Sequence, residues 1–273
     1  MSQPSVSYSL NGLRTLTGDP LFVRVKNRME PTPHAQQLAI PIRRVLEIIE
    51  LEILARAGFT EAESTRQFTL CMTDIGEAHY MPGIVARMQA TAPGVSLRVV
   101  SLPPDRLEAA LEDGTVDLAI GFFPDLNTNN FYQQQLSRSS FVCIARKGNP
   151  SIGKRLTLKN YLDCRHVAVS AQVRNLEVLD RCIRDLGLKE RIHVSVRTPH
   201  FMAMAHIVAT TDLIATATVE TAQYAQRSEG VSVFTLPFAS PTFPLRQHWH
   251  RRYHNDPGNQ WLRRLVHEIF HVG

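Results

Sequence analysis

Three stretches of the chain carry residue types at spacings that could do chemistry. The first is His248-Trp249-His250 with His254. Side chains alternate along an extended strand, so His248 and His250 share a face, as a chelating pair would. No Cys, Asp or Glu completes the set at tight spacing. A strand rich in His and Arg explains the pattern better, and no metal is expected. The second, Gly148-Asn149-Pro150-Ser151-Ile152-Gly153-Lys154-Arg155, has the GxxxxGK spacing of a phosphate-binding loop. Arg155 stands where a Ser or Thr hydroxyl would hold magnesium, and Pro150 deletes a backbone N–H from the anion nest. A nucleotide site is therefore not expected. The third is Ser2-Gln3-Pro4-Ser5-Val6-Ser7, which puts small hydroxyls and one amide at the start of a helix. In a DNA major groove Gln3 could pair bidentately with adenine, and Ser5 and Ser7 could meet base edges or phosphates. Arg24, Lys26 and Arg28 follow on a basic hairpin and would lie over phosphates.

Enzyme signatures are missing: there is no GxSxG, HExxH or GxGxxG, so neither an enzyme nor a cofactor is indicated. The four cysteines, Cys71, Cys143, Cys164 and Cys182, form no CxxC pair and read as buried thiols. Lys and Arg exceed Asp and Glu by 30 to 25, an excess that permits a polyanion partner without demanding one.

The elements that must position these residues follow from length and hydropathy patterning. A chain of 273 residues, 44% hydrophobic and 20% charged, is ordinary globular material for roughly two domains at about 150 residues each. No apolar run is long enough to cross a membrane, and the first residues do not form a secretory signal, so a cytoplasmic protein is expected. Val6, Leu10 and Leu13 give a short helix its inward stripe, and Gly18-Asp19-Pro20 ends it. Phe22-Val23-Arg24-Val25 reads as a strand with Lys26-Asn27-Arg28 as its turn. Thr32-Pro33 opens a long helix to Gly58, whose Leu38, Ile42, Val45, Ile49 and Ile53 form a narrow seam suited to one partner helix. Pro41 should bend it.

From Gln67 onward strand and helix patterns alternate in two series. Strands are expected at 68–73, 95–102, 117–121 and 139–146, then at 166–170, 192–196, 213–216, 231–236 and 245–252. Helices are expected at 77–91, 105–113, 176–186, 202–209, 221–227 and 256–271. Such alternation argues an α/β fold with parallel sheets, here in two small lobes.

Several motifs together resemble the LysR-type transcriptional regulators. Ser2 to Ser7, Leu13-Arg14, Asp19-Pro20-Leu21-Phe22-Val23-Arg24 and Glu30-Pro31-Thr32 look like that family's recognition helix, wing and linker start. Met72-Thr73-Asp74-Ile75-Gly76-Glu77, Pro199-His200-Phe201 with Thr211-Asp212-Leu213-Ile214-Ala215-Thr216, and Asp256-Pro257-Gly258-Asn259 with Trp261-Leu262-Arg263 narrow it. They are similar to the branch of regulators of nodulation and of naphthalene, salicylate, nitrotoluene and chloroaromatic degradation.

The resemblance implies a partial winged helix-turn-helix over 1–32, a linker and dimerisation helix over 33–58, and a two-lobed effector domain like a periplasmic binding protein. Lobe I would comprise 66–138 with 240–273, and lobe II 139–239. It implies an activator of aromatic-compound catabolism genes that assembles as a homodimer or homotetramer and works on double-stranded DNA with RNA polymerase. Ser2, Gln3, Pro4, Ser5, Ser7, Arg14, Arg24, Lys26 and Arg28 would contact DNA. Family members carry supporting helices ahead of the segment that starts here at Met1, and Gly12 stands where a basic residue is common. This chain alone is therefore expected to bind DNA weakly or not at all. An effector-binding subunit without DNA binding is the alternative, and an enzyme on the same fold a distant third. Ligands in two-lobed α/β proteins sit at the carboxyl ends of strands. Thr73, Tyr80, His166, His200 and Phe201 would line such a site, and a small aromatic acid or phenol is the expected effector.

Overall fold

A computed structural model describes residues 3–26, 28–49, 59–126, 129–170 and 173–271. Two units emerge, Met1–Gly58 and Phe59–Gly273. The first begins with α1 (Gln3–Thr17), which ends as Gly18 turns left-handed at φ 67° and donates its N–H to Arg14 O. Only glycine takes that conformation without steric cost. Strands β1 (Phe22–Val25) and β2 (Arg28–Pro31) pair antiparallel from Phe22↔Pro31 to Val25↔Arg28, so the expected basic hairpin forms. Helix α2 (Pro33–Ile48) is capped by Thr32, whose Oγ1 accepts from Ala35 N at 3.0 Å, and Pro33 fills the first turn where its missing N–H does no harm. The helix runs on through Pro41. None of its residues is buried, and Ile42 and Val45 of the expected seam are exposed. Ile53 and the expected end near Gly58 lie outside the described residues.

The second unit interleaves strands and helices as the alternation demands. Strands β3 (Gln67–Cys71), β4 (Ser96–Val100) and β5 (Leu118–Gly121) are parallel, with β3 between the other two. Helices α3 (Asp74–Thr91) and α4 (Pro104–Asp113) cross between them. Then comes β6 (Phe131–Ala145), a 15-residue strand shared by both lobes. Its first part pairs antiparallel with β11 (Thr242–His250), which also pairs with β5. Its second part carries β9 (Ala215–Thr218) and β10 (Ser232–Phe234). Between these lie α5 (Leu158–Asp163), β7 (Arg165–Val169), α6 (Arg174–Asp185), β8 (His193–Thr198), α7 (Phe201–Thr210) and α8 (Val219–Ser228). Strands β7 and β8 are parallel, and His166 bridges to Ile214. Helix α9 (Pro257–Phe270) returns to lobe I.

Alternation along each strand divides the core into layers. Phe68, Leu70 and Met72 face α3 and α9 with Leu118 and Ile120, whereas Cys71 and Ala119 face α4 through Leu107 and Leu111. In lobe II, Phe141, Cys143 and Ala145 meet α5 and α6, and Ile144 meets α7 and α8.

Two expectations need correction, and one helix was not expected at all. The strand expected over 139–146 is only the later part of β6, because Tyr132-Gln133-Gln134-Gln135 reads as polar loop while its backbone pairs fully with β11. The strand expected over 68–73 stops at Cys71, and Thr73 starts the next helix instead. Helix α5 went unread because six residues give too few turns for periodicity.

Candidate functional site

The three sequence stretches fare differently. His248 is 1% exposed, with its ring edge-on to Phe123 at 5.7 Å, and His250 packs likewise on Phe131. His250 Nδ1 accepts from Arg252 N, and His254 Nδ1 accepts from Trp249 Nε1, so local bonds employ these rings. Among the described residues no three His, Cys, Asp or Glu side chains gather as a metal site. The glycine-lysine stretch is a loop stitched by Asn149, which donates from Nδ2 to Asp212 O and accepts from Ser151 N.

In the first unit Pro4, Ser5 and Ser7 are exposed on the opening turns of α1. Ser2 lies outside the described residues, and of Gln3 only the backbone is described. Arg24 and Arg28 are exposed on the hairpin and Lys26 at its turn. Arg14 is employed internally: its Nε donates to Pro20 O at 2.8 Å and its Nη1 to Asn11 Oδ1 at 3.3 Å, tying α1 to the turn that follows.

In the second unit a cleft of about 570 Å³ opens between the lobes. Helix starts surround it. Lobe I contributes those of α3 and α4, and lobe II those of α6, α7 and α8. Each brings first-turn N–H groups without an intrahelical partner and the positive end of the helix dipole. Arg174 lines the cleft as well, with its guanidinium paired to Asp125 and Glu177, and the acidic Asp74, Glu77 and Glu220 are also among the lining residues. Apolar wall is supplied by Phe122, Phe123, Phe201, Phe243 and Leu245. In chemical terms such a surface can accommodate an apolar body with a negative group turned toward the helix starts.

Four of the five expected effector residues line this cleft. Thr73 caps α3, accepting from Gly76 N at 3.2 Å, and keeps its hydroxyl proton for donation. His200 is exposed ahead of α7, and Phe201 is buried at its start. Tyr80 is only 3% exposed, its ring edge-on to His79 and Phe270 at 4.8 Å. Its hydroxyl is buried without a well-formed hydrogen bond among the described residues. Burial first and the Glu220 carboxylate second push that phenol above its ordinary pKa, against a smaller pull from the Ser137 hydroxyl. Burial also lowers the His79 imidazole, so its neutral form is favoured.

His166 is the correction. It is 3% exposed inside lobe II, with Nε2 2.7 Å from Tyr161 O and its ring edge-on to Tyr161, and it does not line the cleft. Heading a strand places a residue at the amino end, whereas the cleft gathers the carboxyl ends. Sequence reading passed over Asp74, Arg174, Asn175 and Glu220. Their signal was available in their place within the first turn of helices that follow strands. Asn175 Oδ1 is buried at the cleft without a partner among the described residues, and Glu220 Oε2 accepts from Ser139 Oγ at 2.6 Å.

Two family models account for nearly all of this architecture. Residues 61–270 match the LysR substrate binding domain, and residues 1–36 match the bacterial regulatory helix-turn-helix protein of the lysR family. The chain belongs to the LysR family of transcriptional regulators, which are DNA-binding proteins and not enzymes. Among its relatives is the HTH-type transcriptional activator NahR of Pseudomonas putida, 37% identical over 270 residues that cover 99% of this chain and 89% of that one. The HTH-type transcriptional regulator LinR of Sphingobium indicum is 30% identical over 273 residues, covering 98% and 88%. Among solved structures, the probable transcriptional regulator PA0477 from Pseudomonas aeruginosa superposes with a TM-score of 0.70 at 27% identity, over 98% of this chain and 89% of that chain.

Proposed function

We propose that this chain is a transcriptional activator of genes for aromatic-compound breakdown, with a small aromatic acid or phenol between its lobes as effector. The observation that carries the reading is the cleft itself: an apolar wall facing five helix starts and Arg174, in a volume that suits a ring with an anionic substituent. The 37% identity to a transcriptional activator supports the direction of regulation. Thr73 and His200 would donate to the carboxylate or phenolate, with Phe201 and Tyr80 beside the ring.

On this reading Gln3, Ser5, Ser7, Arg24, Lys26 and Arg28 face double-stranded DNA, and the exposed seam of α2 pairs subunits into dimers and tetramers. Effector binding shifts populations of pre-existing assemblies, which RNA polymerase reads at the promoter, in the cytoplasm. Isothermal titration with benzoates, salicylates and chlorophenols tests the core of it. At least one is expected to bind, and His200→Ala to weaken that binding by about 1 kcal/mol. Binding of a sugar or amino acid, with none of the aromatics bound, refutes the reading.

A further inference from the structure

The two lobes touch across the cleft through charged groups of their own. Asp74, the first residue of α3 in lobe I, accepts a hydrogen bond at Oδ2 from the backbone N–H of Met202, 3.0 Å away in the first turn of α7. Asp125, also in lobe I, takes the Nε of Arg174, the first residue of α6, at 2.5 Å. Both lobe II helices begin without help from their own caps. Val173 ahead of α6 and His200 ahead of α7 give no side-chain bond, whereas Thr73, Thr157, Thr218 and Asp256 each cap their helices. The orphan donors of α7 therefore draw a carboxylate from the opposite lobe.

We propose that Asp74 is a built-in competitor anion: it fastens lobe I to the start of α7, and a ligand carboxylate that takes those amides must displace it. The displacement rests on the anionic-effector reading above, but the fastening does not. A second carboxylate beside Asp74 is repelled by it and by Glu77, so the ligand seats only as the Asp74 bridge to Met202 parts. Seating the effector and releasing an interlobe contact become one event, which leaves the Arg174–Asp125 pair and the packing of α3 on α7 and α8 in place.

Hydrogen exchange and benzoate titration on the full chain test the two halves separately. Without ligand, Asp74→Ala is expected to speed exchange of the first-turn α7 amides about two- to fivefold, the range for a charge at a helix terminus. Peptides of α9 should stay unchanged. Unaltered α7 exchange overturns the fastening whatever the ligand. In titration, Asp74→Ala and the milder Asp74→Asn are both expected to bind benzoate more tightly, by a similar factor. Weaker binding by both overturns the competition, because Asp74 would then be assisting the ligand. Binding of benzoate to no variant or parent removes the displacement together with the effector reading, and the exchange result still decides the fastening.

Discussion

Arg66 and Asp117 form the joint on which lobe I closes. Nη2 of Arg66 lies 2.9 Å from Asp117 Oδ1, and Asp117 Oδ2 accepts from the backbone N–H of Thr69 at 2.8 Å. The other arm of the guanidinium reaches Asp256 at 2.7 Å, the residue that caps α9 by accepting from Asn259 N. Its plane also covers the Phe68 ring, 4.5 Å from the centroid. One side chain thus links β3, the approach to β5 and the start of α9. Burial holds the Asp117 carboxyl above its ordinary pKa even against these bonds.

Removing the cation leaves Asp117 buried without its counter-charge. Arg66→Ala is expected to destabilise the protein by about 1–3 kcal/mol, less than for a fully enclosed pair because the guanidinium is one-third exposed. Asp117→Asn keeps an acceptor for Thr69 N and has no charge to desolvate, so its loss should be smaller. Urea midpoints at a common slope measure both, and an Arg66→Ala midpoint equal to that of the parent protein contradicts the assignment.

His248 gives a pH dependence whose sign is fixed. Neither ring nitrogen has a partner among the described residues, and burial first, then Arg246, lowers its pKa from 6.5 to about 4. Between those values the unfolded chain binds the proton and the folded chain refuses it. The neutral ring's contribution is therefore whole above pH 6.5 and is lost as pH falls toward 4, by about 3 kcal/mol in all. His248→Phe should flatten this part of the stability profile and leave the protein no less stable at neutral pH. A variant with the parent's full acid slope would show that other groups set it.

Most of the fold was legible because strands and helices here advertise themselves by period. Phe68, Leu70, Leu118 and Ile120 make buried runs, and Gly18, Pro33 and Pro257 mark helix ends or starts. What escaped was held by partners distant in sequence. The polar start of β6 is a strand only because β11 lies against it, more than a hundred residues later, where Gln247 also donates to Gln134. The cleft was legible at Thr73, His200 and Phe201, which stand at strand-to-helix junctions. His166 misled because it stands at the amino end of its strand, where its ring bonds inside lobe II, whereas the cleft gathers the carboxyl ends.

The cysteines make a simple chemical test. Cys71, Cys143 and Cys164 are buried with thiols pushed up chiefly by burial, while Cys182 is half-buried on α6. The Cys182 thiol is also raised, by burial and then Asp185, so it should react slowly. A thiol reagent is expected to label Cys182 first in the folded protein and the remaining three only on unfolding. Early labelling of Cys143 would mean that lobe II opens where its core is drawn shut.

Within the first unit, Arg14 is bonded internally and Lys26 is exposed, which, on the proposed DNA-binding role, predicts different effects of their removal. Arg14 anchors α1 to Pro20 O, next to a turn where Asp19 Oδ1 accepts from both Leu21 N and Thr32 Oγ1 at 2.7 Å. Lys26 is exposed at the hairpin turn. Arg14→Ala is therefore expected to loosen the unit, seen as faster hydrogen exchange over 14–35. Lys26→Ala should leave exchange alone and lower the salt slope of DNA binding by about 1, the loss of a single phosphate contact. Anisotropy titrations over a range of low salt concentrations read that slope. An unchanged slope in Lys26→Ala, or an unchanged exchange pattern in Arg14→Ala, would reverse the division of labour.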